Sequence, residues 1–478
     1  MNTAGTGWRG DLLLLDVPRP PRTRNGAVDL DALLRACGPA DLFESAGDGG
    51  WSYVVPHGEH RLEDDGARTR WVGPDGATDE GSDPFAALER WCARLGIVPE
   101  APVPGGSDLP AFTGGFAGAL AYDLGHRVEH LPRRLPDDRG TAHLWLTLAE
   151  TVVAVPPDRS RAVVLARDLL SGRAHLEARV RTHLAAIDGS RPAAHVPRPR
   201  TPPPVTSSLG HEAHLAAIRA VLEHIAAGEV FQVNLTQRLT TRWDDDLPGL
   251  YQALRRESPA LFGAALPAIG VASISPETFL AVDGTRVTTR PIKGTRPRHP
   301  DPTLDAALAD DLATSVKDRA ENVMVVDMER NDLGRVCRPG TVQVPELTVV
   351  EAHPTVWHLV STVTGELRPQ VGYGELLRAT FPCGSITGAP KIAAMGLIER
   401  LETVRRGWYC GAVGFLSPGA ARLSVAIRTA TLHDDGRVDY GAGGGIVADS
   451  DPVDERRESF DKAAAFLRAV GADQEIRT

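Results

Sequence analysis

The chain has 478 residues, of which 42% are hydrophobic and 24% are charged, and these proportions are ordinary for a globular protein with one large body or two to three domains. The formal net charge of −10 argues against nucleic acid or an anionic membrane surface as a partner. Five scattered cysteines without C-x-x-C spacing, and the lack of any long apolar run, predict a cytoplasmic protein with neither disulfides nor a zinc site.

Residues 1–188 predict several strands and one short helix. The strand-like runs are "WSYVVP", "LWLTLAETVVAVP" and "RAVVLARD", and "DPFAALERWCARLG" has helical spacing. The glycine-rich "TGGFAGALAYDLG" lacks G-x-G-x-x-G after a strand with an acidic residue at the right distance, so a dinucleotide site is not expected. Residues 189–208 are rich in Pro, Arg and Ser and predict an extended connector to a C-terminal part at 209–478.

The C-terminal part has clearer periodicity. "HEAHLAAIRAVLEHIAAGE" predicts an amphipathic helix, and "VFQVNLTQRL" predicts a strand with Phe231 and Val233 on one face. "TFLAVDGTRVTTRP" predicts a hairpin around its Asp-Gly pair. Further helices are predicted over residues 305–329, 390–402 and 453–470. Because strands and helices mix without regular βαβ alternation, we expect an α/β fold of the α+β type.

The last predicted helix carries a charged face. An apolar stripe from Phe460 to Leu467 predicts its buried side, and Glu455, Glu458 and Lys462 fall on the opposite side at spacings of three and four residues. A solvated surface with a Glu–Lys pair explains this pattern. Alternatively, a glutamate of this helix binds a metal ion together with a glutamate of another helix.

Four other features are candidates for ligand contact or catalysis. Asp318 and Glu321 are one turn apart, and Mg²⁺ needs few protein carboxylates because it keeps waters and binds substrate oxygens. "FPCGSITGAPK" runs into a helix start that favours an anion, and "YGAGGGIVADSD" can bring backbone N–H groups to a ligand or form a simple turn. His358 in "TVWHLVSTV" is either a core or a catalytic histidine.

Lysine is scarce in this chain. Only four of its 52 lysine and arginine residues are lysine, and one of them, Lys293, lies among arginines in "TRPIKGTRPR". Guanidinium stays protonated, whereas a desolvated lysine can lose its proton and act as a nucleophile or base. Lys293 is therefore either a surface charge or a group with a chemical role.

The motifs in their order resemble the chorismate-utilising enzymes. The resemblance is carried by "GEVFQVNLTQR", "SPETFL", "RPIKGTRPR", "RAENVMVVDMERNDLGRV", "FPCGSITGAPK", "RRGWYCGAVGF", "LSVAIRT" and "GAGGGIVADSDPVDERRESFDKA". It covers nearly all of residues 210–470 and extends loosely to "DLFESAGD" in the N-terminal part. The resemblance implies a large β-sandwich surrounded by helices, with strands from both parts of the chain.

Two positions discriminate within that family. Gln232 stands where the water-using members have a lysine base, which is the pattern of the ammonia-using members. Lys293 stands where anthranilate synthases typically have alanine, and lysine there is characteristic of aminodeoxychorismate synthases. The resemblance thus implies amination of chorismate at C4, with anthranilate synthase component I as the nearest rival and a catalytically silent tryptophan-binding protein as a rival of another class. No cysteine has the G-x-C-x-G setting of a glutaminase, so a separate glutamine amidotransferase subunit is expected to supply ammonia.

The resemblance also implies roles for individual residues. Glu277 matches the general acid for the C4 hydroxyl, and Lys293 matches a nucleophile at C2. Gln232 and His358 complete the implied catalytic set. The remaining implied contacts are Mg²⁺ at Glu321, Glu455 and Glu458, and substrate at Ser385, Tyr409, Arg428, Gly443, Gly445 and Lys462. Ser45 matches a pocket that binds tryptophan in some relatives, and Cys383 departs from the glycine or alanine usual at its position.

Overall fold

The structure is a computed structural model that describes residues 8, 10–45, 50–102, 109–132, 134–188, 190, 204–259 and 261–472. Its α-helices are α1 (Leu30–Ala36), α2 (Pro84–Arg94), α3 (Arg173–Asp188), α4 (His211–Ala226), α5 (Leu247–Glu257), α6 (Pro302–Thr314), α7 (Val316–Gly334), α8 (Tyr373–Thr380), α9 (Lys391–Leu401) and α10 (Pro452–Ala469). Short 3₁₀ turns cover Tyr122–Arg127, Pro267–Ile269 and Gly384–Ile386.

The strands fall into two sheets, and their bounds follow in chain order. They are β1 (Leu12–Asp16), β2 (Ala40–Ser45), β3 (Ser52–Pro56), β4 (Arg61–Asp64), β5 (Thr69–Gly73), β6 (Gly76–Gly81), β7 (Gly115–Leu120), β8 (Leu144–Ala149), β9 (Thr151–Val155), β10 (Val163–Arg167), β11 (Thr206–Ser207), β12 (Gln232–Arg242), β13 (Phe262–Leu266), β14 (Val271–Ser275), β15 (Thr278–Asp283), β16 (Arg286–Arg290), β17 (Ile292–Pro297), β18 (Gln343–Ala352), β19 (Val356–Glu366), β20 (Gly388–Ala389), β21 (Ala412–Ser417), β22 (Ala420–Val425), β23 (Thr429–Leu432) and β24 (Arg437–Ile446).

Each sheet contains twelve antiparallel strands. The first has the order β1-β10-β9-β3-β2-β13-β14-β23-β24-β12-β11, with β20 paired to β12. The second has the order β17-β19-β16-β15-β22-β21-β7-β8-β4-β5-β6, with β18 paired to β19. Phe43 and Tyr53 of the first sheet pack in one buried cluster with Phe415 of the second, and the Tyr53 and Phe415 ring centroids are 5.3 Å apart. The sheets therefore enclose a common core, as in a sandwich.

Both parts of the chain contribute to each sheet. In the first sheet β2 pairs with β13, and in the second β7 pairs with β21. Helices cover the outer faces: α10 packs on β24, with the rings of Tyr440 and Phe466 stacked at 4.4 Å, and α7 packs on β19. The predicted α/β sandwich with strands from both parts is confirmed. The division at residues 1–188, 189–208 and 209–478 stays a prediction, and most of the connector lies outside the described residues.

Most of the elements predicted from periodicity are present, with three corrections. The helix predicted over residues 305–329 is two helices, because Ser315 caps α7 by accepting from the Asp318 amide. Phe231 is 67% exposed and precedes β12 instead of lying on its buried face. In α10, Glu455 is buried while Phe460 is only partly buried, so the predicted buried side is displaced around the helix. No helix in the described part of the chain is long and apolar enough to cross a membrane.

Candidate active site

Glycines in β24 form the floor of the site. β24 pairs with β12 from Val233↔Ile446 onward. A Cβ atom placed on Gly445 would lie 2.1 Å from Nε2 of Gln232, and one on Gly443 would lie 2.1 Å from the Leu235 carbonyl oxygen. A side chain at either position would clash, so glycine is needed where other groups approach the backbone this closely.

The charged face of α10 lies over this glycine floor. A Cβ atom on Gly444 would be 3.3 Å from the Lys462 ammonium and 3.4 Å from a Glu455 carboxylate oxygen. Lys462 binds Glu458 at 2.7 Å, one turn away, and its charge lowers the pKa of the Glu458 carboxyl. Glu455 accepts from the Lys317 ammonium at 3.2 Å. The predicted Glu–Lys pair exists, and it lies at a sheet surface together with a buried carboxylate.

Glu321 brings a third carboxylate to the site from α7. It has no hydrogen bond or ion pair within the described ranges, and burial raises its pKa although Lys293 and Lys317 oppose that shift. The charge of Glu455 also acts on it. As arranged, the described part of the chain holds no group of three His, Cys, Asp or Glu side chains close enough to bind a metal ion. The donors nevertheless fit Mg²⁺. They are hard oxygens, the Glu321 carboxylate has no ion-pair partner among the described residues, and Mg²⁺ needs only one or two carboxylates.

Lys293 enters the site from β17. Its ammonium donates to the Ser385 carbonyl oxygen at 2.9 Å, and among the described residues no carboxylate lies within ion-pair distance of it. A Cβ atom on Gly294, which has φ of +80°, would be 2.8 Å from the Asp318 side chain. The positive φ and the close packing both require glycine after the lysine. Lys293 is therefore held by one neutral acceptor and not by a structural salt bridge.

Glu277 lies between β14 and β15 and is only 3% exposed. Burial raises the pKa of its carboxyl, while the charge of Lys293 and a hydrogen bond with the Ser385 side chain oppose that shift. One of its carboxyl oxygens, Oε1, is buried without a hydrogen-bond partner. A buried carboxyl in this setting favours its neutral form, which is the form that a general acid needs.

His358 lies beside the lysine strand. Its Nδ1 is 2.9 Å from the Thr295 hydroxyl, and burial lowers the pKa of the imidazole to about 3. The charges of His353 and Arg428 act in the same direction. His358 is therefore a neutral, hydrogen-bonded imidazole at neutral pH.

Tyr409 and Arg428 approach the same region from the loops around β21 and β22. A Cβ atom on Gly441 of β24 would lie 2.1 Å from the Tyr409 ring, so the ring rests on the strand backbone. Arg428 adopts φ of +52° and is partly exposed, and its guanidinium has no partner among the residues described. Its charge acts on His358 and Tyr440. An uncommitted guanidinium suits a carboxylate ligand.

Ser45 lies elsewhere, in a separate cavity. This cavity has a volume of about 300 Å³, and its lining includes Phe43, Ser45, Trp51, Tyr53 and Phe415. The structure therefore separates Ser45 from the other predicted residues, and its tryptophan pocket stays a prediction.

Two lysines of the site were not singled out from the sequence. Lys317 binds Glu455, as described above, and Lys391 donates to Asp332 at 2.6 Å and to the Pro382 carbonyl oxygen at 2.8 Å, which fixes the "FPCGS" turn. All four lysines of the chain thus lie at this site or against the "FPCGS" turn beside it. The scarcity of lysine was a signal that could have identified them.

Comparisons with known proteins agree with the motifs. The sequence model of a family described as "chorismate binding enzyme" matches residues 49–468. The chain is 40% identical over 393 residues to aminodeoxychorismate synthase component 1 of Klebsiella aerogenes, covering 81% of this chain and 83% of that protein. It is 38% identical over 421 residues to anthranilate synthase component 1 of Streptomyces coelicolor, covering 84% of this chain and 81% of that protein. The crystal structure of anthranilate synthase component I from Streptococcus pneumoniae TIGR4 matches with a TM-score of 0.75 at 28% identity, over 87% of this chain and 92% of that one.

Proposed function

The chain belongs to the family of chorismate binding enzymes, and from this premise we propose that it is an aminodeoxychorismate synthase component 1. It converts chorismate and ammonia to 4-amino-4-deoxychorismate, for para-aminobenzoate synthesis. Overall identity does not decide between the amination of C4 and anthranilate formation, because relatives of both names match at 40% and 38%. The observation that carries the proposal is Lys293, which enters the site beside Ser385 and Glu277.

Lys293 has the surroundings of a nucleophile. Its single hydrogen bond to a carbonyl oxygen leaves the amine free to reach a substrate. In the proposed reaction the amine bonds to C2 of chorismate as the ring double bonds shift, and the C4 hydroxyl leaves as water with the proton of Glu277. Ammonia then bonds to C4, the double bonds shift back and the C2–lysine bond breaks.

The neutral side chains of the site favour ammonia over water. Gln232 is buried and its amide cannot take a proton from water at neutral pH. Burial lowers the pKa of His358 to about 3, so its imidazole is too weak a base to deprotonate water. Neither supplies a general base for hydroxide formation, so an incoming group that is already nucleophilic, such as ammonia, suits this site.

Charged groups of the chain suit a dicarboxylate substrate. Arg428 and Lys462 supply positive charge for the two carboxylates. We propose that Glu321 and Glu458, with Glu455 beside them, would hold Mg²⁺, which would supply positive charge for a substrate carboxylate.

We also propose a glutamine amidotransferase partner, as the component naming of the relatives suggests. Exposed apolar side chains stand next to residues of the site: Phe231 precedes Gln232, Ile392 follows Lys391, and Val316 precedes Lys317. Exposed apolar side chains around a site favour burial under another protein. The five cysteines are free and buried, which supports a reducing, cytoplasmic location.

The test compares nitrogen donors and products. We expect the purified chain to aminate chorismate at C4 with ammonium salts but not with glutamine, and to gain glutamine use when a glutaminase subunit is added. Phe231→Ser is expected to weaken only the glutamine-dependent rate, with the ammonium-dependent rate as its control. Fluorescent anthranilate as the direct product would instead assign the rival reaction. Absence of any turnover by a folded, Mg²⁺-supplied chain would favour the silent tryptophan-binding protein.

A further inference from the structure

Behind Glu277 lies a second buried carboxyl that the reaction above does not use. Glu329 on α7 is 4% exposed. Its Oε2 accepts from the Thr289 hydroxyl at 2.9 Å, and its Oε1 lies 3.4 Å from the Cys383 sulfur. No lysine, arginine or histidine forms an ion pair with it among the described residues.

A chain of side chains connects Glu329 to the general acid. The Cys383 sulfur is 3.4 Å from the Ser385 hydroxyl, and the Ser385 side chain is near enough to the Glu277 carboxyl to oppose the rise of its pKa. All four side chains are buried, with exposures of 3% or 4%. The free space beside Glu329 is about 10 Å³, which is at the lower limit for one water, so the side chains themselves provide the connection.

The geometry points to a proton store: we propose that Glu329 supplies, through Cys383 and Ser385, the proton that Glu277 delivers to the leaving hydroxyl. Ionised Glu277 takes the Ser385 proton, Ser385 takes the Cys383 proton and Cys383 takes the Glu329 proton, so one carboxyl gains what the other loses. When ammonia has bonded to C4, the proton released by the new ammonium group returns along the same route. Glu329 and Cys383 act through Glu277 and are positioning residues.

The protonation of the pair supports this role. Burial, followed by the charge of Glu277, raises the pKa of Glu329 to about 8, so Glu329 carries a proton at neutral pH. The other charged group facing it is Asp332, which is paired with Lys391. Glu277 faces Lys293 and Lys462, whose charges favour its ionised form. As pH rises, Glu277 therefore depends increasingly on Glu329 as its source of a proton.

The inference rests on the proposed amination, and the experiment separates the two. The rate with ammonia, at a fixed concentration of free ammonia, is measured against pH as kcat/KM for chorismate. For Glu329→Gln we expect kcat/KM within about twofold of the wild-type value near pH 6. At high pH, kcat/KM should decline about one pH unit earlier than in the wild type, which is roughly a tenfold loss near pH 8. A profile that superimposes on that of the wild type would overturn the proton store. A wild type that does not aminate chorismate would overturn the proposed function as well.

Cysteine variants test the connection itself. Cys383→Ala removes the link, and we expect it to reproduce the displaced limb of Glu329→Gln. Cys383→Ser keeps a group that donates and accepts, and we expect it to restore the wild-type profile within about twofold. An alanine variant with the wild-type limb, or a serine variant as impaired as alanine, would contradict the route through Cys383.

Thermal unfolding gives a readout that does not depend on turnover. Because the pKa of Glu329 is higher in the folded state than the unfolded value of about 4.3, its proton stabilises the fold fully below pH 4 and this contribution is lost as pH rises through about 8. The Tm of the wild type minus that of Glu329→Gln should therefore fall between pH 5 and pH 9. A difference that stays constant with pH would mean that Glu329 only packs, and would overturn the proposal.

Discussion

At the scale of single residues, lysine and arginine occupy different places in this protein. Arginines of this chain form most of its ion pairs, for example Arg406 with Glu402 and Arg255 with Glu44. All four lysines lie in or against the candidate active site, and three of them also form ion pairs there. A compact amine that can lose its proton and fit a crowded site differs physically from a planar guanidinium.

Lys293 offers the sharpest test at this scale. We expect Lys293→Arg to lose at least about 100-fold in kcat, because arginine keeps the charge but offers no lone pair. Lys293→Ala should retain some direct addition of ammonia. Incubation with chorismate in the absence of ammonia should leave a covalent adduct on the Lys293 peptide, detectable by mass spectrometry.

Lys391→Arg is a suitable matched control for that experiment. It also exchanges a partly buried lysine for arginine, but its partners, Asp332 and the Pro382 carbonyl oxygen, only hold the turn. It should retain the adduct on Lys293. If Lys293→Arg is active and the wild-type enzyme forms no adduct, Lys293 supplies only a positive charge and has no role as a nucleophile.

At the scale of elements, α10 and β24 explain how charged groups come to a buried surface. Asp451 caps α10 by accepting from the Val453 and Asp454 amides, which fixes where the helix begins. The glycines of β24 then leave space for Glu455 and Lys462 at the strand. Apolar residues such as Phe466 pack the helix against the sheet. Its charged face is therefore available to bind a ligand and is not needed to stabilise the fold.

Glu458 tests the role of that face. We expect Glu458→Ala to lose about 100-fold or more in kcat, because Mg²⁺ would lack one of its proposed ligands, while Tm changes by no more than about 2 °C. Asp461→Ala, an exposed neighbour on the same helix, is the control and should remain active. Full activity of chelator-treated enzyme without added Mg²⁺ would contradict the metal proposal.

At the scale of the whole molecule, two strand pairs join the parts of the chain. β2 with β13 and β7 with β21 extend each sheet across the boundary, and the pairing covers residues such as Ala264↔Phe43 and Gly414↔Gly118. Each part alone would expose a long strand edge in both sheets and half of the aromatic core between them.

Splitting the chain tests this interdependence. Fragments 1–190 and 204–478 are expected to aggregate or remain unfolded when expressed separately, and to form an active complex when expressed together. Circular dichroism and the ammonia-dependent rate measure the outcome. A soluble 204–478 fragment with the full rate of the intact chain would show that the C-terminal part is an independent domain.

The sequence by itself determined the local features of this protein. The Asp-Gly hairpin of β15 and β16, the helices α2, α4 and α9, and the family resemblance follow from periodicity, turn chemistry and short motifs, which depend on neighbouring residues. The rarity of lysine likewise marked Lys293 before any fold was known.

Only the tertiary structure decided which distant residues meet. Glu321 and Glu455 are 134 positions apart, and their convergence depends on how α7 and α10 pack on different strands. The periodicity of α10 predicted that Glu455 faces away from the core. In the structure its side chain is buried against the glycines of β24. The connection from Glu277 to Glu329 also joins three separate segments. Local patterns state which face of an element is apolar, whereas the partner of that face is set by packing of the whole chain.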